Sequence, residues 1–144
     1  MYNVPNRIIM TRINTLDPVE LMDQHLVAEY REIFMVGGSL VRSLKSPNWN
    51  PKNIPKQFTL NKGHVSFFYD KGEYLSKRYS QLIAEMKDRG MNPDPARTFP
   101  RWQWPDELFG DWTPTETDRD IVRARIKIRI AEKPNWYKYR GETV

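Results

Sequence analysis

The first clear periodicity in the chain follows residue 20. Met22, Leu26, Tyr30 and Ile33 recur at spacings of four, four and three, which lays one apolar stripe along a helix. Asp17-Pro18-Val19-Glu20 supplies the start signal, with Asp17 as N-cap, Pro18 at the first helical position and Glu20 at the capping-box position. The pair Gly37-Gly38 is expected to end this helix. Residues 46–55 hold three prolines and read as a loop. A second helix is expected over about residues 68–89, because Phe68, Leu75, Leu82 and Met86 share a face and Gly90 fits a C-terminal stop. Residues 91–114 are rich in proline and tryptophan, and a connection of that length is either a functional loop or a layer wrapped on the core. A third helix is expected over residues 116–133, ahead of Pro134, although Ile126, Ile128 and Ile130 alternate with Lys127 and Arg129 as they would in a strand. The predicted fold is all-α: a compact single-domain three-helix protein with long irregular connections.

Composition narrows the classes. A chain of 144 residues suffices for one core and is short for two. Hydrophobic residues make up 39% and charged residues 28%, with no apolar run near the ~20 residues that a membrane span needs. Met1 to Ile9 lack the apolar core and cleavage site of a secretory signal, so a cytoplasmic protein is expected. Cysteine is absent, which excludes disulfides and thiolate zinc sites; two histidines make a poor zinc set, and no metal or other cofactor is expected. The net charge of +5 is unevenly placed. From Arg119 onward eight basic residues face three acidic ones, whereas upstream fifteen balance fifteen. A polyanion-seeking surface is therefore expected on the C-terminal quarter, although a solvated helix face would carry the same charges.

Two places can carry chemistry. On the first helix Gln24, Ala28 and Arg31 lie on one track, and His25, Ala28 and Glu32 on the next. The small Ala28, flanked by an amide, an imidazole, a guanidinium and a carboxylate, would let a phosphate backbone approach; an ordinary polar helix face would read the same way. Glu29 and Glu32 stand three residues apart, which by itself does not indicate catalysis. Residues 133–141 interleave aromatic and basic side chains, suited to stacking on bases while neutralising phosphates, or to packing the tail onto the helices.

Four blocks then occur in order: Met10-Thr11-Arg12-Ile13-Asn14; Asp23-Gln24-His25-Leu26 with Ala28-Glu29-Tyr30-Arg31-Glu32; Gly63-His64-Val65 with Phe67-Phe68-Tyr69-Asp70-Lys71; and Trp136-Tyr137-Lys138-Tyr139. Together they resemble the phage endonuclease V family of pyrimidine-dimer DNA glycosylase/AP lyases, over residues 10–141. The resemblance implies a three-helix domain over residues 11–144 behind an N-terminal extension, residues 1–10, acting as a monomer on damaged double-stranded DNA by base flipping. It implies that Thr11, once N-terminal, attacks the sugar C1′ with its α-amine, that Glu32 assists base release and β-elimination, and that Arg31 supports them. It implies DNA contacts from Arg12, Gln24, His25, Arg42, Arg125, Arg129, Trp136 and Lys138. An α-amine suits such an attack because its pKa of about 7.7–8.0 leaves a sizeable neutral fraction near neutrality, against about one lysine in a thousand.

The chain departs from the pattern in three places. Ten residues precede Thr11, Met35 stands where the family has a basic residue, and residues 99–104 diverge. Two other readings therefore stand beside the enzyme: a noncatalytic DNA-binding relative that senses or bends damaged DNA, and an RNA-binding protein that needs only the basic, aromatic tail.

Overall fold

The computed structural model describes residues 12–144; Thr11 and the expected extension lie outside them. Asp17 does cap a start, accepting the Val19 N–H at 3.1 Å. Only the 3-10 turn Pro18–Glu20 follows, and Leu21 returns to extended backbone. The first helix, α1, runs Asp23–Glu32 and begins beyond that turn. Glu20 completes no capping box; it grips the Arg123 guanidinium with both oxygens, each at 3.0 Å.

Gly37-Gly38 does not end the helical run either. After the single residue Ile33, α2 (Phe34–Leu44) passes through both glycines. The reason is packing: a Cβ on Gly37 would lie 2.1 Å from the Gln103 Oε1, so glycine lets the later connection press onto the helix.

Next come the one-turn helix α3 (His64–Phe67), the 3-10 turn Phe68–Asp70 and the long helix α4 (Gly72–Asp88). The expected second helix thus starts at Gly72, not Phe68. Gly90 stops it as expected, with φ 84°, the Met91 N–H reaching the Met86 carbonyl at 2.9 Å and the Gly90 N–H reaching Lys87 at 3.0 Å.

Residues 91–114 form a wrapped layer. Trp104 and Leu108 are buried, and Phe99, Phe109 and Trp112 pack against the core. The last helix, α5, spans Glu116–Glu132 behind a full capping box of Thr115 and Asp118. Val122 and Ile126 are buried and Ile130 is half-buried, while Ile128 is 54% exposed, so burial follows the helical spacing of four and the strand-like alternation has no structural role. A two-strand hairpin, β1 (Lys138–Tyr139) and β2 (Glu142–Thr143), closes the chain.

The fold is all-α apart from that hairpin. Its centre holds Leu26 and Ile33 of the α1 run, Leu40 of α2, Leu75 and Leu82 of α4, and Phe68, each at 1% exposure or less. Each contributes about 1.5–3 kcal/mol by leaving water. No described helix is long and apolar enough to cross a membrane.

Candidate active site

The site begins with a buried clamp on residues 13–16. The Ile13 N–H donates to His64 Nε2 at 2.8 Å, and His64 Nδ1–H donates to the Thr59 carbonyl at 2.7 Å. This pairing requires the neutral ring, and burial, its largest cause, holds the His64 pKa down at about 4. One residue on, Glu29 of α1 accepts from the Asn14 N–H at 3.2 Å and the Asn14 amide at 3.1 Å. Arg78 of α4 donates to both Glu29 oxygens, at 2.7 and 3.0 Å, and to the carbonyls of Asn14 and Leu16. Both side chains are essentially inaccessible to water. The clamp thereby fixes where the chain emerges as Arg12, the residue next to Thr11.

Arg12 emerges into a cleft of about 530 Å³ between α1, α5 and the tail. Its walls carry His25, Ala28 and Glu32 from α1, Arg125 and Arg129 from α5, and Tyr137. Glu32 is half-buried, and burial raises its pKa against the opposing pull of the Arg12 backbone N–H and charge. The Arg12 guanidinium donates to the Leu60 carbonyl at 2.6 Å. Its pKa is lowered, first by burial and then by the charges of Arg125 and Arg129. The exposed Glu132 stands at the rim, 3.6 Å from Arg129. Three guanidiniums and one half-buried carboxyl line the same cleft, an arrangement whose positive charge favours an anion.

His25 stacks on Tyr137 with ring centroids 4.7 Å apart. Burial, then Arg129, brings its pKa to about 4, so the ring is neutral at pH 7, and its Nδ1 is buried with no hydrogen-bond partner among the described residues. Gln24 ties down the tail: its amide donates to the Trp136 carbonyl at 2.7 Å and accepts from the Lys138 N–H at 3.0 Å. Asp23 adds the N–H groups of Arg140 and Gly141 and an ion pair with Arg89. Trp136 is left 54% exposed beside Lys133, and Lys138 is exposed.

Arg31 does not line the cleft. It lies in a neighbouring groove with Gln24, Val27 and Lys138, and Ala28 is common to both hollows. The two tracks over Ala28 are thus two grooves divided by a low ridge. Arg42 lies exposed on α2 and lines neither hollow; Met35 is 48% exposed.

The sequence model of the pyrimidine dimer DNA glycosylase family matches residues 10–99. The chain belongs to that family. Membership makes it a DNA-repair glycosylase directed at pyrimidine dimers, with DNA as its substrate. The matched span holds Arg12, all of α1 and every member of the clamp. Arg125 and Arg129 of α5 lie beyond it, and their place in the site rests on the cleft itself.

The clamp is what sequence reading missed. Asn14, Glu29, His64 and Arg78 all stand in or near apolar periodic segments, but apart from Thr59, five residues from His64, their partners lie 15 to 64 residues away. The one available signal was a carboxylate and a guanidinium on otherwise inward faces, since such groups are rarely buried unless paired.

Proposed function

We propose that the cleft is the reaction centre of a glycosylase with AP lyase activity, working through an imine to the N-terminal amine of Thr11 in a domain of residues 11–144. The supporting observation is that Glu32, Arg12, Arg125 and Arg129 line one hollow, with Arg12 the chain neighbour of Thr11. The neutral amine forms a bond to C1′ as the glycosidic bond breaks, and the base leaves with the proton that the amine sheds. Protonated Glu32 delivers its proton to the ring oxygen as the sugar opens to the imine. The resulting carboxylate takes a proton from C2′, and the electron pair expels the 3′ phosphate by β-elimination. A carboxyl held above its ordinary pKa suits both transfers near neutrality. The arginines hold the phosphates on either side of the lesion, and the protein acts as a monomer on duplex DNA, extruding a nucleotide at a cost of a few kcal/mol that a damaged site lowers.

Borohydride tests this reading, because it fixes an imine as a covalent adduct. A chain starting at Thr11 should be trapped on abasic or dimer-containing DNA, and one starting at Met1 should trap poorly. Its first α-amine lies ten residues upstream, a contour of up to ~35 Å. Equal trapping, with the adduct mapped to Met1 or a lysine, removes Thr11 as nucleophile and keeps the lyase. No trapping and no cleavage by either form leaves the noncatalytic DNA-binding relative.

A further inference from the structure

Between Glu32 and Asp70 the chain holds no acidic residue, but it holds Arg42, Lys45, Lys52, Lys56 and Lys62. Five cations match the whole net charge of +5, and the even balance upstream of Arg119 conceals them. All five are exposed, and none forms an ion pair among the described residues. Elsewhere Lys77, Arg101, Arg123 and Arg140 are each paired with a carboxylate. Unpaired like charges repel one another, and a polyanion relieves that repulsion.

The four lysines stand on a loop that is fastened from beneath and continuous with the cleft. Ile54, Phe58 and Leu60 are buried, while Lys52, Lys56 and Lys62, each two residues from one of them, are exposed. At one end the Leu60 carbonyl accepts from the Arg12 guanidinium at 2.6 Å, and Arg12 lines the cleft. Lys62 follows two residues later, at most about 7 Å from Leu60 between Cα atoms. A Cβ on Gly63 would lie 3.3 Å from the Pro55 Cγ, so the chain neighbours of these two residues, Lys62 and Lys56, belong to one patch. At the far end Ser43, Ser46, Trp49, Asn53 and Tyr69 line an uncharged hollow of about 230 Å³. Lys45 and Lys52 are the chain neighbours of Ser46 and Asn53. The lysines thus mark a path from the Arg12 side of the cleft to this hollow.

We infer that the loop of residues 45–62 is a phosphate-tracking surface, which holds the DNA backbone on one flank of the lesion. The inference rests on the reading above that the cleft holds the lesion itself. DNA is the occupant because the family acts on it, because the path begins at a residue of the cleft, and because ammonium groups without carboxylates match a row of phosphates. A lysine is a hydrated point charge on a flexible stem, so these contacts add affinity without reading sequence. An enzyme that meets a dimer in any sequence gains affinity this way and keeps its choice of lesion.

Salt-dependent binding of the full chain to a duplex holding a thymine dimer tests the assignment. On a long duplex, Lys56→Gln with Lys62→Gln, and Lys45→Gln with Lys52→Gln, should each lower the slope of log affinity against log salt by about two units. On a duplex trimmed to cover only the cleft, neither pair should change the slope. The melting temperature of the protein should hold in both. Unchanged slopes on the long duplex would overturn the inference. So would equal losses on the two duplexes, which would reduce the lysines to a share of the overall charge. Lysine-dependent binding to phosphatidylserine vesicles, with DNA binding unaltered, would give the surface to a membrane instead. Slopes that fall as expected, in a protein that neither cleaves nor traps, keep the surface and remove only the lyase.

Discussion

Glu29 and Glu32 sit one helical turn apart, and their removal should have opposite consequences. Glu29→Gln keeps the shape of the side chain but strips the counter-charge from Arg78, whose side chain is 2% exposed. Arg78 retains the carbonyls of Asn14 and Leu16 as acceptors, but no described anion replaces the carboxylate in its hydrogen bonds. Breaking a buried pair from one side costs about 3–5 kcal/mol. For a domain of this size that corresponds to a fall in Tm of roughly 10–20 °C. Glu32→Gln removes a half-buried carboxyl from the cleft that three guanidiniums also line and leaves the core untouched. Because folding raises the Glu32 pKa, the folded state holds its proton more tightly, so ionising it as pH rises above the ordinary carboxylate range costs stability. At pH 7, Glu32→Gln should therefore melt at or slightly above the wild type. It should retain binding of damaged DNA while losing base release and strand cleavage. Calorimetry on both variants, with a cleavage assay on the second, separates the roles. A Glu29→Gln protein that melts within a few degrees of wild type would refute the buried-pair argument. Normal cleavage by Glu32→Gln would remove it from the chemistry. Pairing Glu29→Gln with Arg78→Met adds a control, since eliminating both charges should recover much of the loss.

Two other outcomes follow from the same geometry. Arg125→Ala and Arg129→Ala should each reduce the slope of log affinity against log salt by about one unit, and unchanged slopes in both would put the phosphate contacts elsewhere. The His64 pKa falls from 6.5 to about 4 on folding, so its contribution is complete above pH 6.5 and is lost as pH falls toward 4. Chemical denaturation across that range should show stability declining with acid, and His64→Gln should flatten the decline.

The elements were legible where one local cause decides them. Gly90 ends α4 because the left-handed conformation and its two hydrogen bonds are local. Gly37 misled because its reason is tertiary: the residue that needs the space is Gln103, 66 positions later (103 − 37). Asp17 misled differently. Its cap is real, but the extended Leu21 turns the chain before the main helix begins. The strand-like run in α5 could be resolved only by burial, which selects Val122, Ile126 and Ile130 and leaves Ile128 in water.

The site was legible to the depth of one helix. At 100° per residue, the tracks over Ala28 follow from sequence alone, and they are the two grooves that the fold displays. What faces them does not follow from α1. The resemblance named Arg125 and Arg129 as DNA contacts, but only the fold brings them into the same cleft as Glu32. The same geometry separates the two carboxylates. Three residues of helix rotate Glu29 and Glu32 by about 300°, that is 60° the other way, enough to send one to the Arg78 guanidinium and leave the other at the cleft wall. With Glu29 paired to Arg78 and Glu132 exposed at the rim, Glu32 is the half-buried acid that shares the cleft with Arg12, Arg125 and Arg129.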